Sequence, residues 1–173
     1  MDFSKIKAFV FDVDGVFTDG GVYCFPDGDF IRRTDAKDGF AIRMASMNGY
    51  FLGVITGGAS LTIRMRLKAC GIPEENIYLC SRDKEADMID FCSRFDLSPE
   101  EVCYVGDDCP DVPVANMVGL PACPADAVDE MKDASRFVAT HGGGHGAVRE
   151  IVETVMKAQD RWTFDVGEYK RRF

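Results

Sequence analysis

A rhythm constrains this chain more than any single residue: short, nearly continuous apolar runs stop abruptly at loops rich in Gly, Asp or Thr, and segments with helical spacing lie between them. Residues 7–11 run apolar into Asp12-Val13-Asp14-Gly15. Residues 50–55 run into Thr56-Gly57-Gly58, and residues 102–105 into Gly106-Asp107-Asp108. Runs of this kind suit strands buried on both faces of a parallel sheet. Residues 77–79 and 120–122 are shorter candidates. Phe40, Met44 and Met47 recur at helical spacing, as do Ile63, Leu67 and Cys70. Residues 84–95 and 147–158 read as further helices. Strands alternating with helices predict an α/β fold, a doubly wound Rossmann-like parallel sheet covered on both faces.

One segment breaks the rhythm. Residues 22–25 and 30–33 flank Pro26-Asp27-Gly28-Asp29, which predicts a β-hairpin flap over residues 21–33 with a turn at its tip. With no linker, repeat or low-complexity stretch, residues 1–173 are expected to form one domain without a cap. The tail over residues 160–173 is expected to be loosely ordered.

The formal charge is −9, from 29 acidic and 20 basic residues, which argues against a nucleic-acid surface. No apolar run approaches the roughly 20 residues a membrane span needs. The first residues do not read as a signal peptide, so a cytoplasmic address is expected. Seven cysteines lie scattered without a C-x-x-C pair, as expected of reduced thiols in a reducing compartment. The eight methionines fit helix faces and read as core, and His141 and His145 lack a third partner for a zinc site.

Ligands bind beyond the carboxyl ends of strands in open α/β sheets. The polar residues concentrate there: Asp12 and Asp14 after the first strand, Thr56 after the second, Asp107 and Asp108 after a later one, with Lys84 opening a helix. Close carboxylates repel, so they are stable together around a cation or a shared proton. Oxygen ligands without histidine or thiol favour Mg²⁺. Thr56, the Gly57 N–H and Lys84 suit phosphate oxygens. One carboxylate of the first loop can attack phosphorus while the other moves protons.

Asp12-Val13-Asp14-Gly15-Val16-Phe17-Thr18-Asp19, Ile55-Thr56-Gly57-Gly58, Lys84 and Gly106-Asp107-Asp108-x-x-Asp111 together resemble the four motifs of the haloacid dehalogenase superfamily. Thr18-Asp19-Gly20, Lys37-Asp38-Gly39-Phe40-Ala41, Val118-Gly119-Leu120-Pro121 and Gly143-Gly144-His145-Gly146-Ala147-Val148-Arg149-Glu150 narrow the resemblance to the capless 3-deoxy-D-manno-octulosonate 8-phosphate phosphatases, over about residues 7–159. The resemblance implies Asp12 as nucleophile and Asp14 as general acid/base. It implies Mg²⁺ held by Asp12, the Asp14 carbonyl and Asp107, with Asp108 supporting its water shell. It also implies phosphate held by Thr56, Gly57 and Lys84, a small phosphorylated sugar-acid substrate, and a homotetramer in which each flap closes a neighbour's site. His145 stands where that family usually has arginine.

Cations near the expected mouth (Arg32, Arg33, Lys37 and Arg64) are candidates for the substrate's carboxylate, Lys37 as a substrate-binding residue among them. A nine-carbon sugar-acid 9-phosphate is the alternative substrate. A receiver domain fits poorly, because its acidic pair precedes a separate phospho-accepting aspartate. A non-catalytic tetramerisation module has no reason to keep mutually repelling carboxylates.

Overall fold

A computed structural model describes residues 2–26 and 30–173. Along the chain these form β1 (Ala8–Phe11), β2 (Tyr23–Cys24), β3 (Phe30–Ile31), α1 (Ala36–Met47), β4 (Phe51–Ile55), α2 (Leu61–Ala69), β5 (Ile77–Tyr78), α3 (Lys84–Arg94), β6 (Val102–Val105), α4 (Val112–Ala115), β7 (Leu120–Cys123), α5 (Asp129–Ala134), β8 (Phe137–Val138), α6 (Ala147–Ala158) and α7 (Val166–Arg172).

Six strands make one sheet in the order β5-β4-β1-β6-β7-β8, with every neighbouring pair parallel. The period-2 alternation of a strand explains its two cores. Phe9 and Phe11 join α1, α2 and α6 on one face, through Ile42, Leu67, Ile151 and Val152. Ala8 and Val10 join α3 and α4 on the other, through Met88, Phe91 and Val114. Each such side chain contributes about 1.5–3 kcal/mol by leaving water. The doubly wound sheet expected from the apolar runs is the fold observed.

The chain leaves β1 for β4 and β5 on one side, then returns to β6 on the other. Strand order therefore reverses at β1, and the crevice this opens lies between the loops after β1 and β6. The register Phe11↔Val105 brings those two strands to the same height, so Asp12 and Gly106 leave the sheet side by side.

The hairpin is present as β2 and β3, antiparallel, with Tyr23 opposite Ile31 and Cys24 opposite Phe30. The expected turn at Asp27, Gly28 and Asp29 lies outside the described residues. At the hairpin's root, Thr18 bridges Thr34.

The tail departs from expectation. Instead of lying loose, it forms α7, capped by the Asp165 carboxylate, which accepts from the Glu168 N–H at 2.7 Å. Tyr169 stacks near Phe40 and Phe164, and its hydroxyl accepts from Arg43 Nη1 at 2.8 Å, so aromatic packing against α1 holds the tail.

Lys37 and Asp38 lie in the first turn of α1, capped by Asp35. Asp38 is fully buried, where its carboxylate accepts from the N–H groups of Gly146 and Arg149 and so caps α6. Burial pushes the Asp38 carboxyl above its usual value, against those two hydrogen bonds.

Candidate active site

A cavity of about 900 Å³ opens beyond the carboxyl ends of β1, β4 and β6. Asp12, Asp14, Thr56, Gly57, Lys84, Asp107 and Asp108 all line it, so seven of the residues singled out in the sequence meet on one wall. Lys37 does not line it.

Asp12 is the first residue past β1, fixed by its N–H donating to the Val105 carbonyl at 2.9 Å. It is 8% exposed. Its Oδ1 is buried without a hydrogen bond, although Lys84 Nζ stands 3.2 Å away as an ion-pair partner. Carboxylate oxygens of Asp12, Asp107 and Asp111 lie within 4.8 Å of one another. Burial, then the like charge of Asp111, pushes Asp12 up to about 6 despite Lys84. Burial, then Asp12 and Asp111, pushes Asp107 up to about 7.

Those two displaced values have one cause: negative charge is crowded where water cannot screen it. An orphaned buried carboxylate oxygen beside a second raised carboxylate, in an all-oxygen set, fits a hard divalent cation. Gly15 keeps that space open. Its φ is +81°, and a Cβ there would stand 1.9 Å from Asp107 Oδ2.

Asp111 went unassigned in the sequence reading, and its surroundings give it a structural task. It is almost fully buried at the end of a 3₁₀ turn over Cys109–Asp111. Its Oδ1 accepts from Lys84 Nζ at 2.7 Å and from the Tyr104 hydroxyl at 2.5 Å. Its Oδ2 accepts from the N–H groups of Asp107 and Asp108. Asp111 is therefore fully engaged, while Asp12 and Asp107 keep oxygens turned to the cavity. Burial, then Asp111 and Asp12, raises the Tyr104 phenol well above its usual value, which keeps it a neutral donor. Asp108 is exposed on the cavity wall, and its Oδ1 accepts from the Cys109 N–H at 2.7 Å.

Lys84 is the first residue of α3, capped by Asp83, whose carboxylate accepts from the Ala86 N–H. Its side chain is only 11% exposed. Burial alone would lower its pKa, but Asp12 and Asp111 outweigh that and hold it above the usual value. It is a fixed positive charge. Thr56 follows β4, and its N–H donates to the Tyr78 carbonyl at 3.0 Å. Its Oγ1 accepts from the Gly58 N–H, which leaves the hydroxyl proton available to a ligand oxygen.

The four cations expected at the mouth divide. Arg32 makes a two-pronged pair with Asp14, at 2.5 and 3.1 Å. Arg33 Nη1 donates to the Gly144 carbonyl, lies 3.5 Å from Asp19, and faces His145 Nε2 at 3.1 Å. Arg64 lies 3.7 Å from Glu74. Arg82, which the sequence reading passed over, does line the cavity.

His145 sits within 2.7 Å of the Gly143 carbonyl through Nδ1, so it anchors the flap root and does not line the cavity. The glycine pair before it lets this loop lie against the loop after β1. A Cβ at Gly143 would stand 1.8 Å from the Gly15 carbonyl oxygen.

No family model matches the chain. Curated relatives do. The 3-deoxy-D-manno-octulosonate 8-phosphate phosphatase of Escherichia coli K12 is 33% identical over 157 residues, covering 91% of this chain and 82% of that protein. The Yersinia pestis enzyme of the same name is 32% identical over 158 residues, covering 91% and 83%. The crystal structure of the Yersinia pestis phosphatase superposes with a TM-score of 0.89 at 31% identity, covering 92% of this chain and 85% of that one. The Moraxella catarrhalis phosphatase, solved with a magnesium ion, a phosphate ion and a KDO molecule, gives 0.88 at 28% identity, covering 92% and 91%.

Proposed function

The chain belongs to the 3-deoxy-D-manno-octulosonate 8-phosphate phosphatase family of the haloacid dehalogenase superfamily, and we propose that it performs that hydrolysis, releasing the free sugar acid and phosphate. The observation that carries this reading is the buried Asp12 oxygen without a hydrogen bond, set among carboxylates and facing a cavity walled by Thr56 and Lys84.

Asp12 and Asp107, with the Asp14 backbone carbonyl, would hold Mg²⁺, the ion bound in the Moraxella catarrhalis relative. When bound, Mg²⁺ screens the carboxylates from the phosphate dianion and stabilises transition-state charge. Asp12 attacks phosphorus, and an aspartyl-phosphate forms as the bond to the sugar oxygen breaks. Asp14 gives that oxygen its proton, then takes one from the water that cleaves the intermediate. Thr56, the Gly57 N–H and Lys84 hold the phosphate oxygens, Lys84 by a charge that Asp111 locks in place. Asp108 would support the water around the ion.

Lys37 enters this scheme only from a second copy, because it does not line the cavity of its own chain. The assembly we propose is a homotetramer built through the flap. Val22, Tyr23, Phe25, Phe30 and Ile31 are 43–68% exposed there, an apolar surface that association would cover. A cytoplasmic location completes the proposal, and the seven unpaired cysteines suit a reducing compartment.

The test is phosphate release with Mg²⁺ from the eight-carbon 8-phosphate, the nine-carbon 9-phosphate and glucose 6-phosphate. The eight-carbon acid should exceed glucose 6-phosphate by at least about tenfold in kcat/KM, about 1.4 kcal/mol of transition-state binding. A faster nine-carbon substrate moves the assignment to that acid. Equal rates for all three end the sugar-acid reading.

A further inference from the structure

Asp14 differs from its neighbours in how it is held. Asp111 accepts four hydrogen bonds from its own side of the sheet, and Asp12 leaves β1 under a fixed backbone bond. The Asp14 carboxylate is 38% exposed, and among the described residues it accepts from one side chain alone. That side chain is Arg32, whose Nε reaches Oδ1 at 2.5 Å and whose Nη2 reaches Oδ2 at 3.1 Å. A planar guanidinium bonding both oxygens fixes the direction and the plane of a carboxylate, which a single point charge cannot do.

Arg32 belongs to the flap, yet its own position is firm. The side chain is 11% exposed and lies over the Phe30 ring at 6.0 Å. The two residues after it are tied to the site's loops: Arg33 to Asp19, the Gly144 carbonyl and His145, and Thr34 to Thr18. The flap root is thus pinned to the loop after β1 and to the loop before α6, and Arg32 projects from it onto Asp14.

We infer that Arg32 is a positioning residue that aims the Asp14 carboxylate at the cavity, making the flap part of the catalytic apparatus within its own chain. The inference rests on the aspartyl-phosphate reading above. Two of the carboxylate's roughly four lone-pair sites are filled by the fork, and the rest remain for water. In the second half-reaction, water's oxygen bonds phosphorus and the bond from phosphorus to the Asp12 oxygen breaks. Asp14 takes the proton, and phosphate leaves with Asp12 restored. A misdirected Asp14 slows this step most, because this step depends on Asp14 taking the proton from water.

p-Nitrophenyl phosphate isolates the step, since its leaving group departs as a stable anion and needs little help from Asp14. With Mg²⁺, Arg32→Ala should show a burst of about one nitrophenolate per site. A steady rate lowered by roughly 10²-fold should follow, with KM little changed. Arg32→Lys should recover only part of the rate, and added millimolar guanidinium chloride should raise that of Arg32→Ala. If Arg32→Ala fails to fold, Arg32→Lys decides: wild-type turnover there overturns the inference. So does a raised KM with unchanged kcat, which would make Arg32 a substrate ligand, or a slowed reaction with neither burst nor guanidinium rescue. Absence of turnover by the unsubstituted protein would instead contradict the phosphatase reading itself.

Discussion

The floor of the cavity and the flap beside it are built on opposite plans. On the floor, Asp12, Tyr104 and Asp111 are buried and the Lys84 side chain is 11% exposed, and Asp111 alone joins β6, the loop after it and the start of α3. In the flap, strands of two residues carry apolar side chains into solvent, and the root is tied down where Thr18 bridges Thr34. The floor is held by contacts within one chain, at the cost of concentrated negative charge and one Asp12 oxygen left without a hydrogen bond. The flap leaves apolar surface for something else to cover. Chemistry that depends on sub-ångström placement sits on the first, and recognition of a variable partner suits the second.

The sharpest way to break this contrast is to disarm the floor without deforming it. Asp12→Asn keeps the shape and removes the nucleophile, so activity should fall by more than about 10⁴-fold. Asp14→Asn should lose roughly 10²–10⁴-fold, the range expected for proton transfer. Both follow from phosphate release on freshly purified protein free of deamidation. Comparable activity in the Asp12 variant would remove the floor from the mechanism.

Lys84→Ala tests whether the floor's charges are held by that one cation. It leaves Asp12 and Asp111 facing each other, and should cost about 3 kcal/mol in chemical denaturation without metal. With Mg²⁺ the loss should shrink. An unchanged midpoint would mean that the ion pair contributes nothing.

How much of this the sequence disclosed depends on the residue. β1, β4 and β6 were legible because strands buried on both faces leave unbroken apolar runs. β8 was not, since two half-exposed residues at a sheet edge carry no period. β7 was faint because Pro121 interrupts its pattern, although its residues are buried. Asp12 and Thr56 were legible as polar residues at strand ends and Lys84 as a cation opening a helix, and the three line one cavity. The task of Asp111 was hidden, because only the 3₁₀ turn folding back shows that its carboxylate faces Lys84 and Tyr104. Arg32 was read as a mouth cation, since spacing says nothing about a contact spanning 18 positions. The tail did carry a signal: Asp165-x-x-Glu168 is an N-cap pattern that announces α7.

A gentler probe of the floor is acid. Asp12 and Asp107 titrate higher folded than unfolded, so the folded state holds more protons between about pH 4 and about pH 7. Stability of the metal-free protein therefore falls as pH rises through that window. Its Tm should be a few degrees higher at about pH 5.5 than at about pH 7.5, and Mg²⁺ should close most of the gap. Glu74, Glu101 and Glu153 titrate below their usual values, so their opposite effect is confined to more acidic solution. A metal-free Tm that climbs toward pH 7.5 would contradict the crowded-charge description.

The flap should respond least in stability and most in assembly. Tyr23→Ser with Ile31→Ser removes an exposed cross-strand pair. The change should dissociate the proposed tetramer in sedimentation while costing the isolated chain no more than about 0.5 kcal/mol per site. An undisturbed tetramer would move the interface elsewhere.

The central claim is that Asp12 itself carries the phosphoryl group. Substrate labelled in its phosphate, mixed with enzyme and Mg²⁺ and quenched in acid within one turnover, should leave label on the peptide containing Asp12. None should appear on that peptide from Asp12→Asn. Full phosphate release with no protein-bound label at any quench time would contradict it, placing water rather than Asp12 at phosphorus.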